Sequence, residues 1–142
     1  MGESILQLDT EIMRAEQLAK EYHAGQVDKQ GKDYFTHLVR VMGAVCDKKE
    51  LMVPALLHDI LEDTECTREI LEENRISERN IEIIEKLTRR KDEKYFDYLD
   101  RVRLDTACKE IKIEDLKDNL RAGCPDSLVK RYRKALHILM DQ

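Results

Sequence analysis

From Ser127 to the end of the chain, apolar side chains return every third or fourth residue: Leu128, Val129, Tyr132, Ala135, Leu136, Leu139 and Met140. That spacing lines one face of an α-helix and would scatter over both faces of a strand. The same rhythm carries Ile12, Ala15, Leu18 and Tyr22, then Val39, Met42, Val45 and Cys46, and later Ile111, Leu116 and Leu120. No segment sustains the alternation of two that a half-buried strand needs. The expectation is a single all-α domain over residues 1–142, a length that suits one hydrophobic core.

Capping chemistry suggests the boundaries. Asp9 or Thr10 would cap a first helix running to Tyr22, Thr36 a second, and Thr67 and Ser77 the short segments "REILEEN" and "ERNIEIIEKL". A helix through "LMVPALLHDILED" is expected to begin near Lys49. Pro54 then falls near its first turn, where a missing N–H does little damage. A glycine-punctuated loop, "HAGQVDKQGKDYF", joins the first two helices. The basic run "TRRKDEK" precedes "YFDYLDRVRLDT", and Gly123 and Pro125 close the helix before the last one.

Several functional classes are disfavoured at once. A net charge of −5 argues against nonspecific nucleic-acid binding, and the apolar runs are too short to span a bilayer. Cys46, Cys66, Cys108 and Cys124 form no close pair such as CxxC, which suits a reducing cytosol. The opening "MGESILQLDTE" is acidic where a signal peptide would be basic. Gly2 raises the question of myristoylation, although Leu6 stands where serine or threonine is expected. The sequence thus points to a cytoplasmic protein with neither membrane nor nucleic acid as partner, and leaves the oligomeric state open.

The stretch "PALLHDILEDT", Pro54 to Thr64, holds four ionisable groups inside an apolar run. On a continuous helix His58 would lie near Glu62 and Asp59 near Asp63, opposite Leu56, Leu57, Ile60 and Leu61. No lysine or arginine offsets these acids, so a cation is called for. His37, which follows Thr36, and Asp115, four residues before Asn119, complete a nitrogen and oxygen donor set with His58 and Asp59. Such a set suits Mn²⁺, Fe²⁺, Co²⁺ or Zn²⁺. Glu62 and Asp63, one turn further on, are placed to orient or deprotonate water bound to the ion.

The ordered series His37, His58-Asp59, Glu62-Asp63, Asp115 resembles the HD-domain metal-dependent phosphohydrolases. Within them it is most similar to the hydrolase domain of RelA/SpoT-type alarmone enzymes and to the small stand-alone alarmone hydrolases. Their pattern runs AHxGQxRKxGxPYxxHP, ALLHDxxEDT and KxADRxHN; here it reads "YHAGQVDKQGKDYFTHL", "ALLHDILEDT" and "KIEDLKDNL". The resemblance covers about Leu18 to Leu120. It implies an all-α bundle in which His37, His58, Asp59 and Asp115 bind manganese. Glu62 and Asp63 would manage the proton of a metal-bound hydroxide that attacks phosphorus. Asn119 would contact the ribose or a phosphate of a small nucleotide substrate, and Lys29 matches the family lysine. Arg89 and Arg90 follow "EKLT", similar to the family's VTKL, and would meet substrate phosphate. The activity implied is removal of the 3′-pyrophosphate from guanosine tetra- or pentaphosphate.

The departures shape the expectations. Asp28 stands where the family has the arginine that helps hold guanine, which implies weaker or broader base selectivity. Its carboxylate would turn to solvent or pair with Lys29 or Lys32. Asp33 and Leu38 replace prolines, and "DLKDN" lacks the arginine and histidine of DRxHN while keeping Asp115 and Asn119. Two rival readings are a nucleotidase or phosphatase of the same superfamily and a nucleotide-sensing module without turnover; intact Glu62 and Asp63 weigh against the second.

Overall fold

The computed structural model describes residues 5–121 and 123–140. Gly2 lies outside them. The described chain is built from helices α1 (Ile5–Tyr22), α2 (Tyr34–Ala44), α3 (Met52–Leu56), α4 (Ile60–Asp63), α5 (Arg68–Glu73), α6 (Glu78–Leu87), α7 (Tyr95–Val102), α8 (Thr106–Asn119) and α9 (Asp126–Met140). A 3-10 turn, Lys49–Leu51, leads into α3. Among the described residues the one extended pairing is an isolated bridge between Val27 and Asp33. The all-α expectation holds.

Two apolar clusters share α3 as their common wall. Val53 and Leu56 pack with Ile12, Ala15, Leu38, Ile81 and Ile84, while Ala55 packs with Val41, Leu99, Ile111, Leu116 and Leu139. A helix buried on every side has no solvent face to keep polar, and α3 accordingly reads MVPAL. Pro54 is the third residue of α3, within its first turn, as the sequence suggested. Helices α1, α2 and α6 pack against this rod, and the polar residues His58 and Asp59 follow directly on its carboxyl end.

Thr67 and Ser77 cap α5 and α6 as expected, accepting from the backbone N–H of Ile70 and Asn80. Two other expected caps do not hold. Asp9 and Thr10 lie inside α1, because the apolar stripe extends upstream through Leu8, which packs on the first cluster. Asp33, not Thr36, caps α2: its carboxylate accepts from Phe35 N, and the Thr36 hydroxyl turns back to the Asp33 carbonyl at 2.7 Å.

The expected continuous helix through "LLHDILED" is broken. Leu57 and Asp59 leave helical geometry, with φ/ψ of −110/12° and −122/12°. The cause is local. His58 Nδ1 donates to the Ala55 carbonyl at 2.7 Å, taking an acceptor that a continuing helix would give to the Asp59 N–H, and Ile60 N–H closes a tight turn on Leu57 O at 3.1 Å. His58 and Asp59 are therefore drawn into the interior, whereas Glu62 and Asp63 remain exposed beyond the break.

Candidate metal centre and substrate cleft

Three helix segments converge below the end of α3. His37 shares the inner face of α2 with Val41, His58 is fixed by its bond to Ala55 O, and Asp115 follows Ile111 one turn along the inner face of α8. One donor atom from each of His37, His58 and Asp115 lies within 4.8 Å of the others, and all three residues are buried. Asp115 Oδ1 is the hub: His37 Nε2 stands 2.9 Å away, His58 Nε2 3.1 Å and Asn119 Nδ2 3.4 Å. Its other oxygen receives Lys112 Nζ at 2.9 Å. Asp59 stands at the edge of this group, its Oδ2 3.7 Å from His58 Nε2 and accepting a hydrogen bond from the Tyr34 hydroxyl.

Burial would favour neutral groups here, but the mutual pairing outweighs it. The imidazoles of His58 and His23 and the Tyr34 hydroxyl bring Asp59 down to about 2 against its desolvation. Asp115, facing Lys112 and both imidazoles, is held well below the ordinary carboxylate range. Conversely, burial notwithstanding, Asp59 and Asp115 raise His58 to about 9. A cluster that holds this many protons between nitrogen and oxygen donors is a set that a divalent cation can take over by displacing them. Asp59 Oδ1 and His23 Nε2 also lie buried, 3.4 Å apart, with no hydrogen bond. The donor chemistry and these unsatisfied atoms fit a divalent ion.

The floor opens into a cleft of about 250 Å³. Glu62 and Asp63 line its rim, with Glu62 Oε1 accepting from Arg89 N at 2.8 Å. Desolvation and the neighbouring charges of Asp59 and Glu62 raise Asp63 to about 6. Lys29, Arg89 and Asn119, the candidate substrate contacts, also line the cleft. Arg90 does not: it is exposed, and its backbone N–H bonds Glu93 at 3.2 Å because the loop turns it outward.

Several lining residues were not singled out from sequence. Lys112, Tyr95, Arg131 and Tyr132 line the cleft as well, and the Arg131 guanidinium lies 3.9 Å over the Tyr95 ring. The Tyr95 hydroxyl is buried without a partner. Asp28 is also corrected. Its side chain is 1% exposed, pairs with Arg40 at 3.1 Å, and accepts from the backbone N–H of Gln30 and Lys32, so neither solvent nor a lysine side chain takes it. It organises the turn in which Gly31 adopts φ 80°.

No family model matches the chain. Over 82 residues, 56% of the chain, it is 39% identical to a guanosine-3′,5′-bis(diphosphate) 3′-pyrophosphohydrolase of Aquifex aeolicus. Over 65 residues, 44% of the chain, it is 35% identical to the bifunctional (p)ppGpp synthase/hydrolase SpoT of Escherichia coli. The matched segments make up only 12% and 9% of those proteins. A solved structure described as a metazoan ortholog of SpoT that hydrolyzes ppGpp superposes with a TM-score of 0.77, covering 99% of this chain and 86% of its own at 21% identity. The chain is similar to SpoT-type hydrolases, in sequence over part of its length and in fold over nearly all of it. Its helices follow their fold along nearly its whole length, and its sequence similarity to the curated members is confined to one short segment of each.

Proposed function

We propose that the chain is a metal-dependent phosphohydrolase acting on a nucleotide phosphate or pyrophosphate ester, with guanosine 3′,5′-bis(diphosphate) as substrate and its 3′-pyrophosphate as the group removed. The observation that carries this reading is the meeting of His37, His58 and Asp115, from three separate segments, beside a cleft that Lys29, Arg89, Lys112 and Arg131 also line. His37, His58, Asp59 and Asp115 would hold the ion, which we take to be Mn²⁺. When bound, it supplies Lewis acidity toward phosphorus and lowers the pKa of water.

The chain's own residues do the rest. Asp63, raised to about 6, is mainly ionised at neutral pH and near enough to neutrality to exchange a proton with attacking water. Glu62, anchored on the Arg89 amide, orients that water or relays its proton. Lys29, Arg89, Lys112 and Arg131, which line the same cleft, offset phosphate charge, and Asn119 offers an amide to ribose or phosphate. A reducing cytoplasm suits the free thiols of Cys46, Cys66, Cys108 and Cys124.

A second reading, a nucleotidase of the same superfamily, is favoured by Asp28, whose side chain is engaged by Arg40 and offers a base no stacking cation. The test is release of phosphate and pyrophosphate from a nucleotide panel, with Mn²⁺ and with chelator. Pyrophosphate from 3′-pyrophosphorylated nucleotides, guanosine among them, with no orthophosphate from mononucleotides, is the expected result. Orthophosphate from mononucleotides selects the nucleotidase, and binding without release selects a sensing module.

A further inference from the structure

His37 is fully buried, and both of its ring nitrogens face carboxylates. Nε2 points into the donor cluster, 2.9 Å from Asp115 Oδ1. Nδ1 lies 2.6 Å from Asp118 Oδ2 on the opposite edge of the ring. Asp118 follows Asp115 by one turn of α8, so one helix grips the imidazole from both sides. An ionised carboxylate only accepts hydrogen bonds, so each ring nitrogen has an acceptor for a proton; a cation that displaces the proton between Nε2 and Asp115 would leave Nδ1–H held by Asp118 and the Nε2 lone pair free to bind it.

Asp118 is itself fixed. Arg40, three residues beyond His37 on α2, donates Nε to Asp118 Oδ1 at 2.6 Å and Nη2 to Oδ2 at 3.0 Å. This two-pronged contact sets the plane of the carboxylate, which a lysine could not do. The same Nη2 reaches Asp28 Oδ2 at 3.1 Å, which ties the guanidinium to the turn before α2.

We propose that Asp118 and Arg40 are positioning residues that set the tautomer and ring plane of His37 and thereby govern how tightly the site holds a divalent cation. This rests on the metal reading above. An imidazole ligand whose distal N–H is held by a carboxylate is both oriented and more basic, and loss of that partner weakens metal binding about 10–100-fold. Without Arg40, the carboxylates of Asp28 and Asp118, 1% and 8% exposed, lose their common cation. Asp118 can then turn toward Arg121, whose Nη1 lies 3.6 Å away, and release the ring.

The rival account is a salt bridge that merely ties α2 to α8; its loss would lower stability and leave metal affinity alone. Calorimetric titration of the full chain with Mn²⁺ separates the two. Asp118→Asn and Arg40→Gln are each expected to weaken Mn²⁺ binding about 10–100-fold, and the double variant no further than Asp118→Asn, because both act along one path. Arg40→Lys, which keeps the charge and guards against misfolding, is expected to lose part of the affinity. In the Zn²⁺-loaded wild type, long-range ¹⁵N–¹H spectra should place the His37 proton on Nδ1, and in Asp118→Asn that signature should be mixed. Unchanged Mn²⁺ affinity in folded Arg40→Lys and Asp118→Asn, or additive losses in the double variant, would overturn the proposal. Wild-type chain that binds no Mn²⁺, or whose binding survives His37→Ala, would overturn the metal reading beneath it, an outcome visible before any relay variant is made.

Discussion

Two buried carboxylates at the floor of the cleft and one at its rim are pushed in opposite directions. Asp59 and Asp115 are 9% and 4% exposed, yet imidazoles and Lys112 bring both below the ordinary range. Asp63, exposed at the rim, is raised to about 6, with its burial, Asp59 and Glu62 as the causes. At the floor cationic partners outweigh desolvation; at the rim desolvation and like charges act together. A floor that stores protons against its carboxylates is prepared to exchange them for a cation, and a rim acid that keeps its proton near neutrality is prepared to pass one.

If that division is right, damage to the floor removes the ion and damage to the rim does not. His58→Ala is expected to give the largest effect. Its Mn²⁺ affinity should fall by more than the ~100-fold that loss of an outer partner produces, and turnover should drop to that of chelated wild type. Metal analysis of the purified variant beside its hydrolysis rate checks both. Retained Mn²⁺ in His58→Ala would erase the distinction between floor and rim.

Glu62→Gln and Asp63→Asn come next. Each should retain Mn²⁺ with near wild-type affinity while kcat falls about 10²–10⁴-fold, the usual range for a lost acid or base. Loss of metal in either variant would move that residue into the ligand set, and unchanged kcat in both would return them to the status of solvated acids.

These roles were legible in the sequence to different degrees. Ligand types in fixed order sufficed to bring His37, His58 and Asp115 together, because each lies on the inner face of its own segment. The break at Leu57–Asp59 was not legible: a helical wheel cannot show that the His58 side chain will take the Ala55 carbonyl. Nor could spacing pair Arg40 with Asp118, 78 residues away, or bring Arg131 of α9 over Tyr95. Such contacts depend on how helices dock, which local periodicity does not encode. Thr67 and Ser77 were readable because a cap needs only its own next turn.

The rim also makes a smaller, pH-dependent claim about the metal-free protein. Asp63 has a folded value of about 6 against an ordinary 3.8, so the folded state binds its proton more tightly than the unfolded chain does. Stability should therefore fall as pH rises from about 4 to about 6 and level off above. Asp63→Asn removes that loss, making the variant more stable than wild type above pH 6, by about 1 kcal/mol once screening at an exposed position is allowed for, and no more stable below pH 4. Urea titrations of both proteins at a series of pH values, in chelator, would show it. A constant difference across the range would mean that neighbouring charges do not hold the proton on Asp63.

The finest comparison sets two adjacent residues of one loop against each other. Lys29 lines the cleft, while Asp28 faces the protein and spends its carboxylate on Arg40 and two backbone amides. Lys29→Met removes a charge that meets phosphate whatever the base, so kcat/KM for guanine and adenine 3′-pyrophosphate nucleotides should fall together, by about tenfold if the contact contributes ~1.4 kcal/mol. Asp28→Asn retains an oxygen for the Gln30 and Lys32 amides and weakens only the pairing with Arg40. Any effect it has on the metal floor is common to both nucleotides and cancels in their ratio. The guanine-to-adenine ratio, which we expect to be small in the wild type, should therefore stay within about twofold, well under 1 kcal/mol. A ratio that shifts in Asp28→Asn would mean that this carboxylate reads the base after all, and that the loop opens on binding to let it do so.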